Sequence, residues 1–285
     1  MTIISLLLIV LIIIVINNYP VVLTTTISSL SLFFNNLFPS LFLLLVLFKL
    51  LLNKQTYSLI KHICPLLSYS VYLYTLTGII MGFAGNTLLL NDAYNKKQIR
   101  NEELEYITNR VCLPSATFII FSIGTALSSY RLSTYLFIIQ VLIILLFVTI
   151  NPPLHHASFD NDFKIKDINK AFISSGNGLF MLFCYVTTLS CISAILTLPL
   201  SDNAALTVLC FSEFASSTLK IAAIPSSLLS RLIIISAILG FGSISTHIQI
   251  KVLADYSYHY QDFLKYRIIQ CLLSILLSTL LIFFL

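Results

Sequence analysis

The chain reads as an all-α polytopic membrane protein: an inverted repeat of about seven transmembrane helices and two re-entrant helical hairpins. Three observations carry this expectation. Hydrophobic residues make up 58% of the 285, charged residues only 9%, against about 25% charged in an average soluble domain. The mean hydropathy is +0.97. The apolar runs fall into two similar series, each interrupted once by small and polar residues. The first two exclude a soluble enzyme, a disordered chain and a secreted disulfide scaffold. No polar stretch reaches half the roughly 50 residues of a small domain, so 1–285 reads as one integral membrane domain: an N-terminal span and interfacial arm (1–34), a first repeat (35–150) and a second (165–285).

Met1 to Ile16 is unbroken apolar sequence without a basic n-region or a small-residue cleavage site. A short span is expected there rather than a removed signal peptide. Tyr19 to Phe34 is rich in Thr and Ser and reads as an amphipathic interfacial arm. Leu37 to Leu52 is the second span, with Pro39 in its first turn, where proline is tolerated. Pro65 to Met81 is long enough to span but runs into Gly82 to Tyr94, neither charged enough for a loop nor clean enough for a helix. Asn95 to Arg110 is the most polar stretch and reads as a solvated surface helix. Val111 to Ser128, containing Pro114, and Ser133 to Ile150 are spans joined by a tight turn at Arg131. Asn151 to Lys170 is a polar connector in which Asp160 and Asp162 precede Lys164 and Lys166. Asn177 to Leu198 spans. Asn203 to Pro225 is apolar but interrupted at 212–220. Arg231 to Gln249 spans with a Gly240–Ser243 break, and Ile268 to Leu285 is the last span.

Charge tests this plan. If both interrupted segments return to the side they came from, the loops at 53–62, 95–110, 151–170 and 250–267 share one side. That side carries Lys54, Lys61, Lys96, Lys97, Arg100, Arg110, Lys164, Lys166, Lys170, Lys251, Lys265 and Arg267, twelve in all, against Arg131 and Arg231 on the other. Letting 65–81 cross fully moves Lys54 and Lys61 over, and the split falls to ten against four. Basic residues favour the cytoplasmic side, so the hairpin plan agrees better, and it restores a duplicated order of the kind found in secondary transporters. The net charge of +5 is this loop bias. Nucleic-acid binding would need a basic groove with interleaved aromatics, and no loop has one.

Irregular backbone inside a bilayer must line a protected cavity, which makes the two interruptions the candidate substrate site. At the first, Gly82 and Gly85 permit a sharp turn, Asn86 or Thr87 can cap the returning helix, and its amides favour an anion. The other reading is that the glycines only let helices approach. At the second, Glu213 is an acidic residue inside an apolar segment, a costly placement unless paired or wet. It reads as a coupling or substrate-contacting group with Ser216 and Ser217, or as a salt bridge with Lys220 or Arg231. Ser243 and His247, and Ser245 and Gln249, are each one helical turn apart and read as a wet face or as residues at the interface. Asn109, Pro114, Ser115 and Thr117 make a comparable polar stretch in the first half. The six cysteines include no CxxC pair and read as small buried hydrophobes. The chain lacks GxxxxGK[ST], HExxH and an aspartate-rich cluster, so no cofactor, metal or enzymatic activity is expected.

The stretches NNLFPSLFLLLVLFKLL (35–51), GIIMGFAGNTLLLNDAYNKKQIRNEELEYITNRVCLPSATFIIFSIGTAL (78–127), FSEFASSTLK (211–220) and GFGSISTHIQIKVLAD (240–255) resemble the sporulation integral membrane protein family YlbJ, also called stage V sporulation protein V. That family is related to the Gate domain of nucleoside-transporter-like proteins. The resemblance covers most of the chain. It implies hairpins, an inverted repeat, location in the outer forespore membrane and movement of dipicolinate into the developing spore. Asn109, Pro114, Glu213, His247 and Gln249 fall on family motif positions. At the first tip Ala84 stands where the family has proline, so that tip matches in part. The partners expected are the bilayer, a small organic anion and, in an assembly, a second copy or other membrane proteins. A nucleoside carrier and a non-transporting scaffold are the rival readings.

Overall fold

The computed structural model describes residues 2–159 and 162–282; Asp160 and the last three residues of the expected final span lie outside them. Helices form throughout, because leucine- and isoleucine-rich runs have no water to satisfy their backbone unless it bonds to itself. Among the described residues five helices are long and apolar enough to cross a membrane, and two bent pairs raise the number to seven. The surface is inverted relative to a soluble protein. On the last helix Leu272, Leu276 and Leu280 are exposed, while Gln270, Ser274 and Ser278 on the opposite face are fully buried. Apolar residues outward and polar residues inward is the arrangement a hydrocarbon solvent selects. The protein is an integral membrane protein.

Helix α1 (Thr2–Asn17) turns through 90° into α2 (Tyr19–Leu32). The expected arm is a helix packed on a neighbouring one. α2 lies along α9 (Ile165–Thr197) and continues through a π-turn at Phe33–Leu37 into α3 (Phe38–Leu51). Pro39 therefore sits inside a continuous helical rod, and the looser π-turn just before it accommodates the missing donor. α4 (Lys54–Ile63) bends away by 87° with Lys61 and His62 in its last turn.

α5 (Ser70–Asn95) is long enough to span but folds back on itself. Gly82 has φ 77° and ψ 175°, a conformation open essentially to glycine alone. Thr77 Oγ1 donates to Asn86 Oδ1 at 2.8 Å, although nine residues of straight helix would separate them by about 13.5 Å. Both ends of α5 also lie at one end of the molecule: Ser70 N bonds His155 O, and Ser158 N bonds Gln98 O just beyond the other end. α6 (Asn101–Arg110) follows. The solvated surface helix expected here is a buried one, with Glu103, Leu104, Ile107 and Asn109 each 3% exposed or less. Glu103 accepts a hydrogen bond from Ser70 Oγ at 2.6 Å and from Arg100 N at 3.1 Å. Residues 111–115 are non-helical, after which helix resumes through a π-turn (Phe118–Ile123) and α7 (Gly124–Ala126). α8 (Tyr130–Thr149) completes this half.

Beyond α9, α10 (Asp202–Ser212) and α11 (Phe214–Ala223) meet at Glu213 and pack against each other. α12 (Leu228–Phe241) and α13 (Ser243–Leu253) instead run on across Gly242, which has φ 92°. α14 (Tyr260–Ile282) closes the chain against α12. Its Arg267, which the sequence groups with the basic loops, is fully buried. Its guanidinium donates to Cys112 O at 2.5 Å, Arg110 O at 3.3 Å and Asn109 O at 3.5 Å, satisfying carbonyls that α6 leaves open where it ends inside the molecule. Arg110 stacks on Tyr106 and Tyr266. Removing these two arginines from the twelve leaves ten basic residues on the loop side, still against two. Cys112 is buried, but Cys184 is exposed and the other four cysteines are half-buried, all six free, so only one is the buried hydrophobe expected.

At the loop end His259 Nδ1 bonds the Glu105 carboxylate. That hydrogen bond, then the carboxylate's charge, raises the His259 pKa above its usual value. A raised folded-state value stabilises the fold fully below the unfolded value of about 6.5 and loses that contribution as pH rises through the folded one. Glu105→Gln is therefore expected to lower the melting temperature at about pH 6 and to leave it unchanged at about pH 9; an equal effect at both would show that the pair carries no charge-dependent stability.

Candidate functional site

The two tips converge. The Phe83 and Phe214 rings meet edge to face at 5.5 Å, and Phe118 packs on Phe214 at 5.6 Å. Around them Gly82, Ser115, Glu213 and Gln249 line a small gap of about 30 Å³, the size of an ordered water or one ligand oxygen. Gln249 is 1% exposed and its Nε2 has no partner among the described residues, a state that is costly for a buried amide.

The first tip is held by the non-helical segment, residues 111–115, that follows α6. Phe83 N donates to Leu113 O at 2.7 Å. A Cβ on Gly82 would lie 2.3 Å from Ser115 N, so this glycine serves both the turn and the close approach. Gly85 serves packing, facing Met81 and Leu41. The expected cap by Asn86 or Thr87 is not made. Asn86 accepts from Thr77, and Thr87 Oγ1 returns to Phe83 O at 2.8 Å; the returning helix already begins at Phe83, after Gly82, and Leu113 takes its first amide. Ser115 caps the next helical turn through Phe118 N. Asn109 is buried, gives its carbonyl to Arg267 and leaves its side-chain Oδ1 unpartnered.

At the second tip Glu213 is 1% exposed and caps α11. It accepts from Ala215 N at 3.0 Å, from Ser216 N at 2.6 Å and from Ser216 Oγ. A carboxylate at a helix N-terminus is favoured by the axial dipole. Neither basic partner expected for it is used: among the described residues no ion pair joins Glu213 to Lys220, and Arg231 Nη1 donates to Ala222 O at 2.8 Å, at the far end of α11. Ser217 Oγ bonds back to Phe214 O.

The two one-turn pairs on α13 separate. Ser245 Oγ accepts from Phe214 N at 3.3 Å, and Gln249 lines the tip gap. Ser243 Oγ donates to Cys210 O at 2.6 Å. His247 lies among Phe241, Tyr260 and Phe263, its ring nitrogens 3.0 Å from Tyr260 Oη and Phe241 O. It faces an aromatic box, not a wet path. Position 247 therefore does not join the tips.

The sequence reading missed a larger cavity beside the second tip. It has about 460 Å³, within the range of small-molecule sites, and lies between α2, α9 and the second tip. Hydroxyls from Thr24, Thr25, Ser28 and Ser190 share its wall with Glu213, Ser216 and Lys220. Glu213 thus borders both this cavity and the tip gap. The Thr/Ser content of Tyr19–Phe34 was the available signal, read there as interfacial. Glu105, His259 and Asp262 bring three possible metal-ligand atoms within 4.8 Å of one another, at the loop end rather than at the tips.

No protein-family model, curated protein or solved structure matches this chain.

Proposed function

We propose that this protein is a secondary-transporter-like carrier that moves a small organic anion across a membrane, with dipicolinate, by the sequence resemblance, as the first candidate and the outer forespore membrane as its place. The observation that carries the reading is the meeting of two helix tips from different halves of the chain around the buried Gln249 Nε2, which has no partner among the described residues, with Glu213 linking that gap to a 460 Å³ cavity lined by hydroxyls and apolar side chains together. Both α5 and the α10–α11 pair act as re-entrant hairpins in this scheme. The order helix, hairpin, broken helix, helix occurs as α3, α5, α6–α7, α8 and again as α9, α10–α11, α12–α13, α14, in support of an inverted repeat. Solute sits in the larger cavity, and its passage requires the tips to part, because the gap between them is too small for any organic solute. Rocking of one repeat against the other around a fixed midplane site would supply that motion.

A neutral solute such as a nucleoside is the second reading. It is favoured by Glu213, whose carboxylate already occupies the α11 amides that an anion would need.

Uptake into proteoliposomes decides between them. Dipicolinate influx is expected in wild type and is expected to fall at least tenfold in Glu213→Gln and in Gln249→Ala, both recovered as folded protein. The glutamine side chain keeps an acceptor for the cap, so full activity of Glu213→Gln would reduce Glu213 to a structural cap and remove it from the mechanism. Competition by nucleosides without dipicolinate uptake would transfer the proposal to the second reading. Absence of any flux, with both tips tolerant of substitution, would leave a membrane scaffold.

A further inference from the structure

A second cavity of about 450 Å³ opens at the loop end, where α3, the outer part of α5 and the start of α9 come together. Its inner wall is Lys49, whose side chain is 5% exposed. Lys49 Nζ pairs with Asp92 at 2.9 Å and donates to Ser174 Oγ at 2.9 Å, tying those three elements at one point. A lysine this far from water holds its position only with such partners, so the wall is built rather than incidental.

The remaining charges have a sign. Lys170 faces Asp167 across 3.9 Å, and the Lys49–Asp92 pair is neutral. Among the described residues Lys96, Lys164 and Lys166 are left with Asp162, a surplus of two positive charges on the wall of one concavity. All three lysines are exposed, where a charged guest can reach them. Their side is the one with the basic excess, where anionic headgroups and phosphorylated solutes are encountered.

We infer that this cavity is a binding site for a phosphate-bearing anion, held by Lys96, Lys164 and Lys166 against the Lys49–Asp92 wall. A guest there bridges the base of the first hairpin to the start of α9 and so resists their separation. The site shares no residue with the tip gap or with the cavity beside Glu213, and it stands or falls separately from the carrier reading.

The test uses the full-length protein purified in a neutral detergent, with pyrophosphate as soluble probe and cardiolipin as lipid probe. Binding is read by native mass spectrometry and by the rise in melting temperature. Saturable binding of one equivalent of at least one probe is expected, weakening with added salt. The triple variant Lys96→Gln, Lys164→Gln, Lys166→Gln is expected to lose at least tenfold in affinity with an unchanged melting temperature in the absence of probe. Cardiolipin binding that pyrophosphate does not displace assigns a lipid headgroup; pyrophosphate binding that cardiolipin does not displace assigns a soluble anion. Binding of neither probe, or equal binding by wild type and the triple variant, overturns the site. Glu213→Gln, which alters the tips alone, is expected to bind as wild type does.

Discussion

Gly82→Ala is expected to destabilise the protein by roughly 3 kcal/mol or more, the sum of backbone strain and overpacking. Alanine at φ 77° and ψ 175° enters a region that a Cβ disfavours, and that Cβ would sit 2.3 Å from Ser115 N and 2.7 Å from the Pro114 carbonyl carbon. Both are backbone atoms that cannot swing aside. The tip must then leave the 111–115 segment, breaking the Phe83 N to Leu113 O bond and separating Phe83 from Phe214. Thermal unfolding in detergent measures the loss, and cross-linking of the Thr77→Cys, Asn86→Cys pair reports whether the hairpin persists. Gly176→Ala is the control. Among the described residues nothing beyond the local backbone of α9 lies within 4 Å of its added methyl, and it sits inside α9, where alanine is favoured by about 0.5–1 kcal/mol. Equal melting temperatures for Gly82→Ala and Gly176→Ala would mean that the reversal at 82 does not depend on glycine.

Arg267→Met ranks second, with an expected loss of about 2–3 kcal/mol and a partial recovery in Arg267→Lys. Arg267 is buried where α6 stops, and one planar fork serves the carbonyls of Asn109, Arg110 and Cys112. Methionine keeps the apolar stem but removes the donor to the Asn109 and Arg110 carbonyls and leaves Cys112 O with Gln270 Nε2 alone, inside a membrane protein where water is scarce. A single ammonium reaches fewer of them, hence the incomplete recovery. Gln270 also donates to Cys112 O at 3.3 Å and to Gln140 Oε1 at 2.7 Å, and Gln140 continues to Ser274 at 2.9 Å. Loss of the guanidinium should therefore loosen α8 and α14 together, seen as faster amide exchange on both. A melting temperature equal to or above wild type would show that the cost of burying the guanidinium exceeds the worth of its hydrogen bonds.

Much of this was legible in the residues. Gly82 is a turn because glycine between two apolar runs marks where a chain can reverse. Glu213 marks the second break because a buried carboxylate needs donors, and a helix N-terminus offers them. The loops at 95–110, 151–170 and 250–267 meet at one end of the molecule, in keeping with their charge. Other readings failed for identifiable reasons. α6 looked solvated because it carries three glutamates, yet Glu103 is buried through its bonds to Ser70 and Arg100. Arg267 looked like a loop residue because nothing local shows that a helix ends beside it, 157 positions away in sequence. His247 matched a helical spacing with Ser243, but spacing along one helix does not say what faces it, and here that is an aromatic box.

Composition and the order of apolar runs were enough to establish a helical membrane protein and to locate both breaks, because bilayer solvation acts on each segment locally. The contact between Phe83 and Phe214, the 460 Å³ cavity against α2 and the capping of α6 by Arg267 emerge only when the segments pack. Each joins residues far apart in the chain or several helices at once, and the crossing of helices, not the pattern within any of them, selects those partners.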